Sequence, residues 1–343
     1  MGPAYFAKHG DESQEGTRTM EQTRAKYDQL IRDLRSDLRP QREWCEGRGI
    51  FMVIGHFVVG VAGGTWLFSL YYGVRMGLAL AFVLAVLGGF LHLANLGRPA
   101  RAWKMMFQFR RSWISRGFYG LSFFLAGAFA YLMPMFFPGA LWASGSAIAG
   151  IGNVLAFAGM LIMIGYMGFV YTASKGIPFW NSPLHPALYV AYALRGGIAG
   201  LLLALAVNGQ DFPSIANLLM LWTVITAIVI AFFGLEVHGA LSTGNIAAQQ
   251  SVHELFAGRV AIYFYGGTLL LGLAVPAWLV WTGLSGPLSL GAMALLGLAS
   301  AFGDFFMKYS TIRAGVHLPV WTHVAPNDRR TPKIPVSQIP AAE

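Results

Sequence analysis

Six of the eight histidines gather on one side of a strongly apolar chain. His56 sits in the first long apolar stretch, His92 near the end of the second, His185 at the start of the fifth, His238 at the end of the sixth, and His253 and His317 in flanking segments. His9 and His323 lie in polar tails. Imidazole takes up and releases a proton near neutral pH, so such a cluster at an apolar boundary suits proton-coupled chemistry on a lipid-soluble substrate. It is also compatible with a b-type haem, with His56 facing His92 or His238 as axial ligands. For any one histidine the plainer reading is a polar side chain tolerated at a helix end. The opposite side holds no histidine, so a two-haem wire across the membrane is not expected.

Ionisable groups also fall inside the apolar stretches, where an unpaired charge costs at least a few kcal/mol. Arg195 lies near mid-depth of the fifth, Glu236 stands just before His238, and Asp304 and Lys308 are spaced i and i+4 in the eighth, which permits direct pairing. Two readings stay open for Arg195, Glu236, His238, Asp304 and Lys308: an interior ion-pair set that locks the helices, or a proton relay toward water. The single cysteine, Cys45, excludes an internal disulfide, a cysteine-based metal cluster and covalent haem attachment, and no metal site is expected. The run YTASKGIPFWNSPLHPALY from Tyr171 to Tyr189 carries three prolines around Trp180 and Asn181. It reads as an interfacial turn, or as the cap of a ligand pocket.

These residues must be positioned by membrane helices. The chain has 343 residues, 56% hydrophobic and 11% charged, with 42 glycines and a mean hydropathy of +0.55. An ordinary soluble domain carries about 25% charged residues, so that class is excluded. Eight stretches are long enough to span: 49–72, 76–96, 116–137, 144–172, 183–208, 214–240, 258–283 and 288–314. The expected architecture is an all-α integral membrane bundle of eight transmembrane helices. A polar, partly helical extension over 1–47 precedes the membrane domain at 48–315, and a tail follows at 316–343. Within the extension, Met20 to Leu38 reads as a surface helix.

The net charge of +9 belongs to loops rather than to a nucleic-acid patch. An even span count puts both termini on one side, here side A, with the loops 97–115, 171–182 and 241–257. Arg98, Arg101, Lys104, Arg110, Arg111 and Arg116 all lie in or beside the first of these. The positive-inside rule makes side A cytoplasmic, and no export signal is visible at the start of the chain. The expected location is a bacterial or archaeal cytoplasmic (inner) membrane.

The string LHLANLGRPARAWKMMFQFRRSWISRGFYG, the PFWNSP turn and the last-helix string GDFFMKYSTIRAGVH resemble the NrfD-like family of DMSO reductase anchor and polysulfide reductase membrane subunits. The resemblance spans most of 48–320. It implies an eight-helix subunit without its own haem, exchanging electrons between menaquinone or ubiquinone and an iron–sulfur subunit that serves a molybdopterin catalytic subunit. The DMSO reductase branch has a histidine directly before Leu-Gly. Here Asn95 occupies that place, with His92 one turn earlier, and Ile114-Ser115-Arg116-Gly117 lacks the acid of that branch. A different branch is implied. Cytoplasmic catalytic subunits point to sulfite-oxidising or acyl-CoA-oxidising relatives and to electrons running into quinone.

On this reading the quinone pocket lies between the first four helices near side A, lined by His56, His92 and Asn95, with Tyr166, Trp180 and Asn181 as weaker candidates. His92 is the expected proton-exchanging residue. Arg98, Arg101, Arg110 and Arg111 are expected to meet an acidic partner face or lipid headgroups. The rivals are a secondary transporter with Arg195 and Asp304 holding an ionic substrate, a haem anchor, and a passive tether.

Overall fold

The computed structural model describes residues 38–209 and 212–318, together with 20–25 and 27–28. The last two segments are helical. Of the helix expected over Met20–Leu38, Leu38 lies in a bend, and positions 26 and 29–37, like His9 and His323, lie outside the described residues.

Pro40–His317 form one compact body. Its eight long apolar helices are α1 (Gly49–Tyr72), α2 (Arg75–Asn95), α3 (Trp113–Phe136), α4 (Ala147–Thr172), α5 (His185–Asn208), α6 (Ile215–Ser242), α8 (Tyr263–Ser285) and α9 (Leu290–Arg313). A shorter helix, α7 (Ile246–Phe256), joins α6 to α8. The architecture is the expected all-α membrane bundle.

The two ends of this body meet. Pro40 pairs with Val316 as an antiparallel bridge, and the Gln41 N–H donates to the Gly315 carbonyl at 2.8 Å. Arg313 reaches Glu46 at 3.7 Å, and His317 reaches Glu43 at 3.8 Å. The chain therefore enters α1 and leaves α9 at the same end, called end A here.

Two connections differ from the sequence reading. The loop expected over 241–257 contains α7, whose start is capped by Asn245 accepting from the Ala247 and Ala248 N–H groups at 3.0 and 3.1 Å. Its buried stripe is Ala247, Ala248, Ser251, Val252 and Leu255, the spacing of one helical face. The basic connection after α2 winds into a 3-10 helix, Pro99–Gln108, with proline at its start, where a missing N–H is harmless.

α1 and α5 form the centre. Within their membrane windows 67% and 72% of residues are buried inside the protein, against 28% for α2, α3 and α8. Glycine lets the two backbones touch. A β-carbon added at Gly64 would stand 2.0 Å from the Ala193 carbonyl oxygen, and one at Gly197 would stand 2.2 Å from the Gly64 carbonyl carbon. Membrane helices associate through such close approach, since lipid supplies no hydrophobic drive between them. The obstruction is backbone and cannot rotate away. Gly64→Ala is expected to lower stability by about 1–3 kcal/mol, read as a fall in the thermal midpoint of the detergent-solubilised protein.

α8 begins as a π-helix, Tyr263–Ala274, and continues as α-helix from Val275. Pro276 has no N–H for the carbonyl four residues earlier, which is Gly272 O. That carbonyl is free for another donor. Gly272 also packs backbone to backbone on Gly303 of α9, where an added β-carbon would lie 2.3 Å from the Gly303 α-carbon.

Candidate functional site

A cavity of about 330 Å³ opens at end A between α1, α2, α3 and α4. Its walls are mostly apolar, including Met52, Val86, Phe90, Leu93, Leu121 and Leu125. The polar groups are His56, His92, Asn95, Ser122 and Tyr166. Phe90, Leu93 and Ile114 on its rim are exposed on the outer surface of the bundle, so the cavity communicates with the lipid-facing side between α2 and α3.

Each histidine is set by a tyrosine from α4. His92 Nε2 hydrogen-bonds Tyr166 Oη at 3.0 Å, and His56 Nδ1 hydrogen-bonds Tyr171 Oη at 2.8 Å. The two imidazoles meet edge to face with centroids 5.0 Å apart, and Tyr166 lies 5.6 Å from His56. Glycines make room for this packing. A β-carbon at Gly55 would lie 2.2 Å from His92 Nδ1, and one at Gly117 would lie 2.3 Å from the Tyr166 ring. The result is two imidazole–phenol pairs at the polar end of an apolar slot, able to hold or pass protons along short hydrogen bonds. The edge-to-face contact leaves no gap for a porphyrin between His56 and His92, so this pair as placed does not fit axial haem ligation.

Behind the cavity the buried ionisable groups form separate contacts. His185 Nδ1 hydrogen-bonds Glu236 Oε1 at 3.0 Å, with both side chains 2% exposed. Arg195 is held on three sides. It pairs with Asp304 Oδ1, donates to the freed Gly272 carbonyl, and donates through Nε to Thr226 Oγ1 at 3.0 Å. Its guanidinium also sits 4.9 Å from the Trp222 ring centroid. The i, i+4 spacing of Asp304 and Lys308 does not produce their ion pair: the carboxylate turns to Arg195, whose planar fork serves several acceptors at once. Lys308 instead lies 4.6 Å from the Tyr189 ring centroid, with Nζ 3.9 Å from Met167 Sδ. Arg195 and Asp304 are thus engaged with each other, which removes the free ionic pair the transporter alternative calls for.

The structure gathers His56, His92, Asn95 and Tyr166 at the cavity. It does not bring Trp180, Asn181 or His238 there. Trp180 is fully buried where the two ends of the Pro40–His317 body meet, with Nε1 donating to the Thr311 carbonyl at 3.2 Å, and its ring lies against Trp44. Asn181 Nδ2 donates to the Thr172 carbonyl at 3.1 Å and stays exposed. His238 is exposed, away from the Glu236–His185 pair. Tyr171 was missed by the sequence reading, because its link to His56 spans 115 positions. The signal present was only a tyrosine one turn and a half after Tyr166.

Arg98, Arg101, Arg110 and Arg111 are all exposed around the 3-10 helix. Arg116 is folded back, donating to the Phe109 and Arg110 carbonyls at 3.2 and 3.1 Å and stacking on Trp113 at 4.0 Å. Outside the spans, Cys45 is buried, and burial, opposed by Arg313 and Arg259 and aided by Glu46, pushes its thiol up to about 12. Such a thiol is inert near neutral pH. Burial also tends to raise the Glu254 carboxyl, but the Arg259 backbone N–H and guanidinium, with Gln250, outweigh it and hold the group below its usual value.

Comparison with known proteins adds family context. Residues 48–319 match the family model described as "Polysulphide reductase, NrfD". The "Protein NrfD homolog" of Haemophilus influenzae is 25% identical over 59% of this chain and 69% of its own length. "Protein NrfD" of Escherichia coli is 25% identical over 67% of this chain and 78% of its own length. A sulfite dehydrogenase subunit of Allochromatium vinosum is 28% identical over 46% of this chain, and the match spans about half of that protein, 49%.

Proposed function

The chain belongs to the NrfD polysulphide reductase family and is a multi-pass membrane subunit of an oxidoreductase complex, and from that premise we propose that it exchanges electrons with the membrane quinone pool at the end-A cavity. The observation that carries this reading is the cavity itself: an apolar slot of about 330 Å³, open toward lipid, ending on two imidazole–phenol pairs. Small-molecule sites are mostly apolar clefts of roughly 300–1,000 Å³ with a few placed polar groups. Menaquinone or ubiquinone has that profile, with an apolar body and two carbonyl oxygens.

A quinone supplies carrier chemistry for two electrons and two protons. The chain's residues handle the protons. Tyr166 lines the cavity, and its Oη shares a hydrogen bond with His92 Nε2, so a proton on that pair can reside on either atom. His56 and Tyr171 form the second such pair, with Tyr171 about one and a half turns of α4 nearer end A. Asn95 and Ser122 add neutral hydrogen-bonding groups to the wall. The aliphatic lining keeps water from the slot.

Electrons arrive from an iron–sulfur subunit docked at end A, where Arg98, Arg101, Arg110 and Arg111 offer an exposed positive surface to an acidic partner. That partner in turn serves a molybdopterin catalytic subunit. End A is cytoplasmic by the charge of its loops, in a bacterial or archaeal inner membrane. The likeness to a sulfite dehydrogenase subunit favours oxidation of a cytoplasmic substrate with quinone as acceptor.

The test is photolabelling of the native complex with an azido-quinone, followed by peptide mapping and metal analysis. Label on the α2 and α4 peptides carrying His92 and Tyr166, suppressed by excess unmodified quinone, is the expected result, with iron and molybdenum or tungsten co-purifying. Label confined to other helices overturns the site. A complex without iron overturns the electron-transfer assignment.

A further inference from the structure

A second, much smaller chamber of about 20 Å³ lies between α1, α4, α5 and α9, on the face of α1 that carries Phe57 and Gly60 rather than His56. Its polar lining is Tyr189, Tyr192, Asp304 and Lys308. Asp304 Oδ2 and Tyr192 Oη are buried there without a hydrogen-bond partner. Lys308 Nζ, 5% exposed as a residue, has Met167 Sδ at 3.9 Å as its hydrogen-bonding neighbour, a weak acceptor for an ammonium. Leaving such groups unsatisfied in a membrane interior costs several kcal/mol.

The volume and chemistry specify the occupant. A water molecule needs roughly 10–15 Å³ of accessible space and two to four polar partners. The chamber offers the space and at least three partners. A bound cation would meet the Lys308 ammonium, and a bound anion would meet the Asp304 carboxylate. Water alone serves both, donating to Oδ2 and accepting from Nζ, with the Tyr192 hydroxyl as third partner.

We propose that this chamber binds one water bridging Lys308 Nζ, Asp304 Oδ2 and Tyr192 Oη, and that the bridged set is a proton-holding site. The proton resides on Lys308 as ammonium opposite a carboxylate, or on Asp304 as carboxylic acid opposite a neutral amine. Transfer is a double shift: the ammonium gives a proton to the water oxygen as the water gives one to Oδ2, so water is regenerated and one proton has moved. Arg195 occupies Oδ1 and leaves Oδ2 as the exchanging atom. The groups around the lysine are Tyr189 and Tyr192 from α5, Met167 from α4 and Asp304 on its own helix, and its charge also acts on His56 of α1 and His92 of α2. The proposal stands on the geometry of this chamber and does not rest on quinone binding at the larger cavity.

The test is radiolytic hydroxyl footprinting of the full chain in nanodiscs in ¹⁸O-labelled water, with Met160 and Met163 as equally buried controls. Oxygen-18 incorporation at Met167 and Tyr192, several-fold above the two controls, is expected, as is its loss in Gly60→Ala, whose added methyl points at the Met167 terminal carbon 3.0 Å away. Labelling of Met167 and Tyr192 no greater than the controls overturns the water site. Infrared pH-difference spectra read the proton. A carboxylic acid C=O band that shifts in heavy water and disappears in Asp304→Asn is expected, and absence of that band in the wild type overturns the proton-holding role. Should Asp304→Asn fail to assemble, Tyr192→Phe keeps both charges and is expected to shift the same band.

Discussion

Replacing His92 with alanine will lower quinone-coupled turnover by about 10²-fold or more, the usual loss when a positioned proton-transfer group is removed. Turnover with an artificial dye at the attached catalytic subunit will stay at the wild-type level. The change removes the partner of Tyr166 Oη at the cavity wall and leaves that hydroxyl without its hydrogen bond. Tyr166→Phe removes the other half of the pair and is expected to reproduce the defect. Gly55→Ala reaches the same ring from behind, since its methyl would overlap His92 Nδ1 at 2.2 Å and drive the imidazole off Tyr166. All three variants failing with quinone while the dye reaction persists places the proton chemistry on this pair. Quinone turnover unchanged in His92→Ala makes His92 structural. Loss of both reactions means the complex failed to assemble, and His92→Gln, which keeps a hydrogen-bonding side chain of similar reach, then becomes the decisive variant.

Much of this site was readable from the sequence, for physical reasons that also mark where reading stops. Lipid imposes length and apolarity on every span, so the eight helices, the side to which His56 and His92 belong, and the basic character of Arg98–Arg116 follow from hydropathy and charge alone. Helical periodicity likewise puts His92 and Asn95 on one face of α2, and both line the cavity. Contacts between distant helices carry no such signature. The His56–Tyr171 bond and the His185–Glu236 bond join residues 115 and 51 positions apart. Gly55 and Gly117 matter only because of what packs against them. α7 escaped because eleven residues with a mixed face are too short for a span and polar enough for a loop. Trp180 and Asn181 were drawn toward a ligand by their proline-rich setting, but Trp180 packs where the two ends of the Pro40–His317 body meet and Asn181 binds the Thr172 carbonyl.

The Asp304–Lys308 spacing shows how a correct local rule loses to a better partner. Both side chains lie on one face of α9, yet Arg195 offers Asp304 a fork that also satisfies the Gly272 carbonyl, left free by Pro276, and Thr226. This set ties α5, α6, α8 and α9 together at mid-bundle. Arg195→Met is therefore expected to destabilise the protein by about 3–5 kcal/mol, because it strands a buried carboxylate and a buried carbonyl. The measurement is the thermal midpoint and the yield of monodisperse protein in detergent. Arg195→Met combined with Asp304→Leu is expected to recover most of the loss, since replacing a buried pair by apolar groups of similar volume is often neutral. Failure of the double variant to recover would assign the cost to Gly272 O and Thr226 rather than to the ion pair. A wild-type midpoint in Arg195→Met alone would show that the pair does not lock the helices.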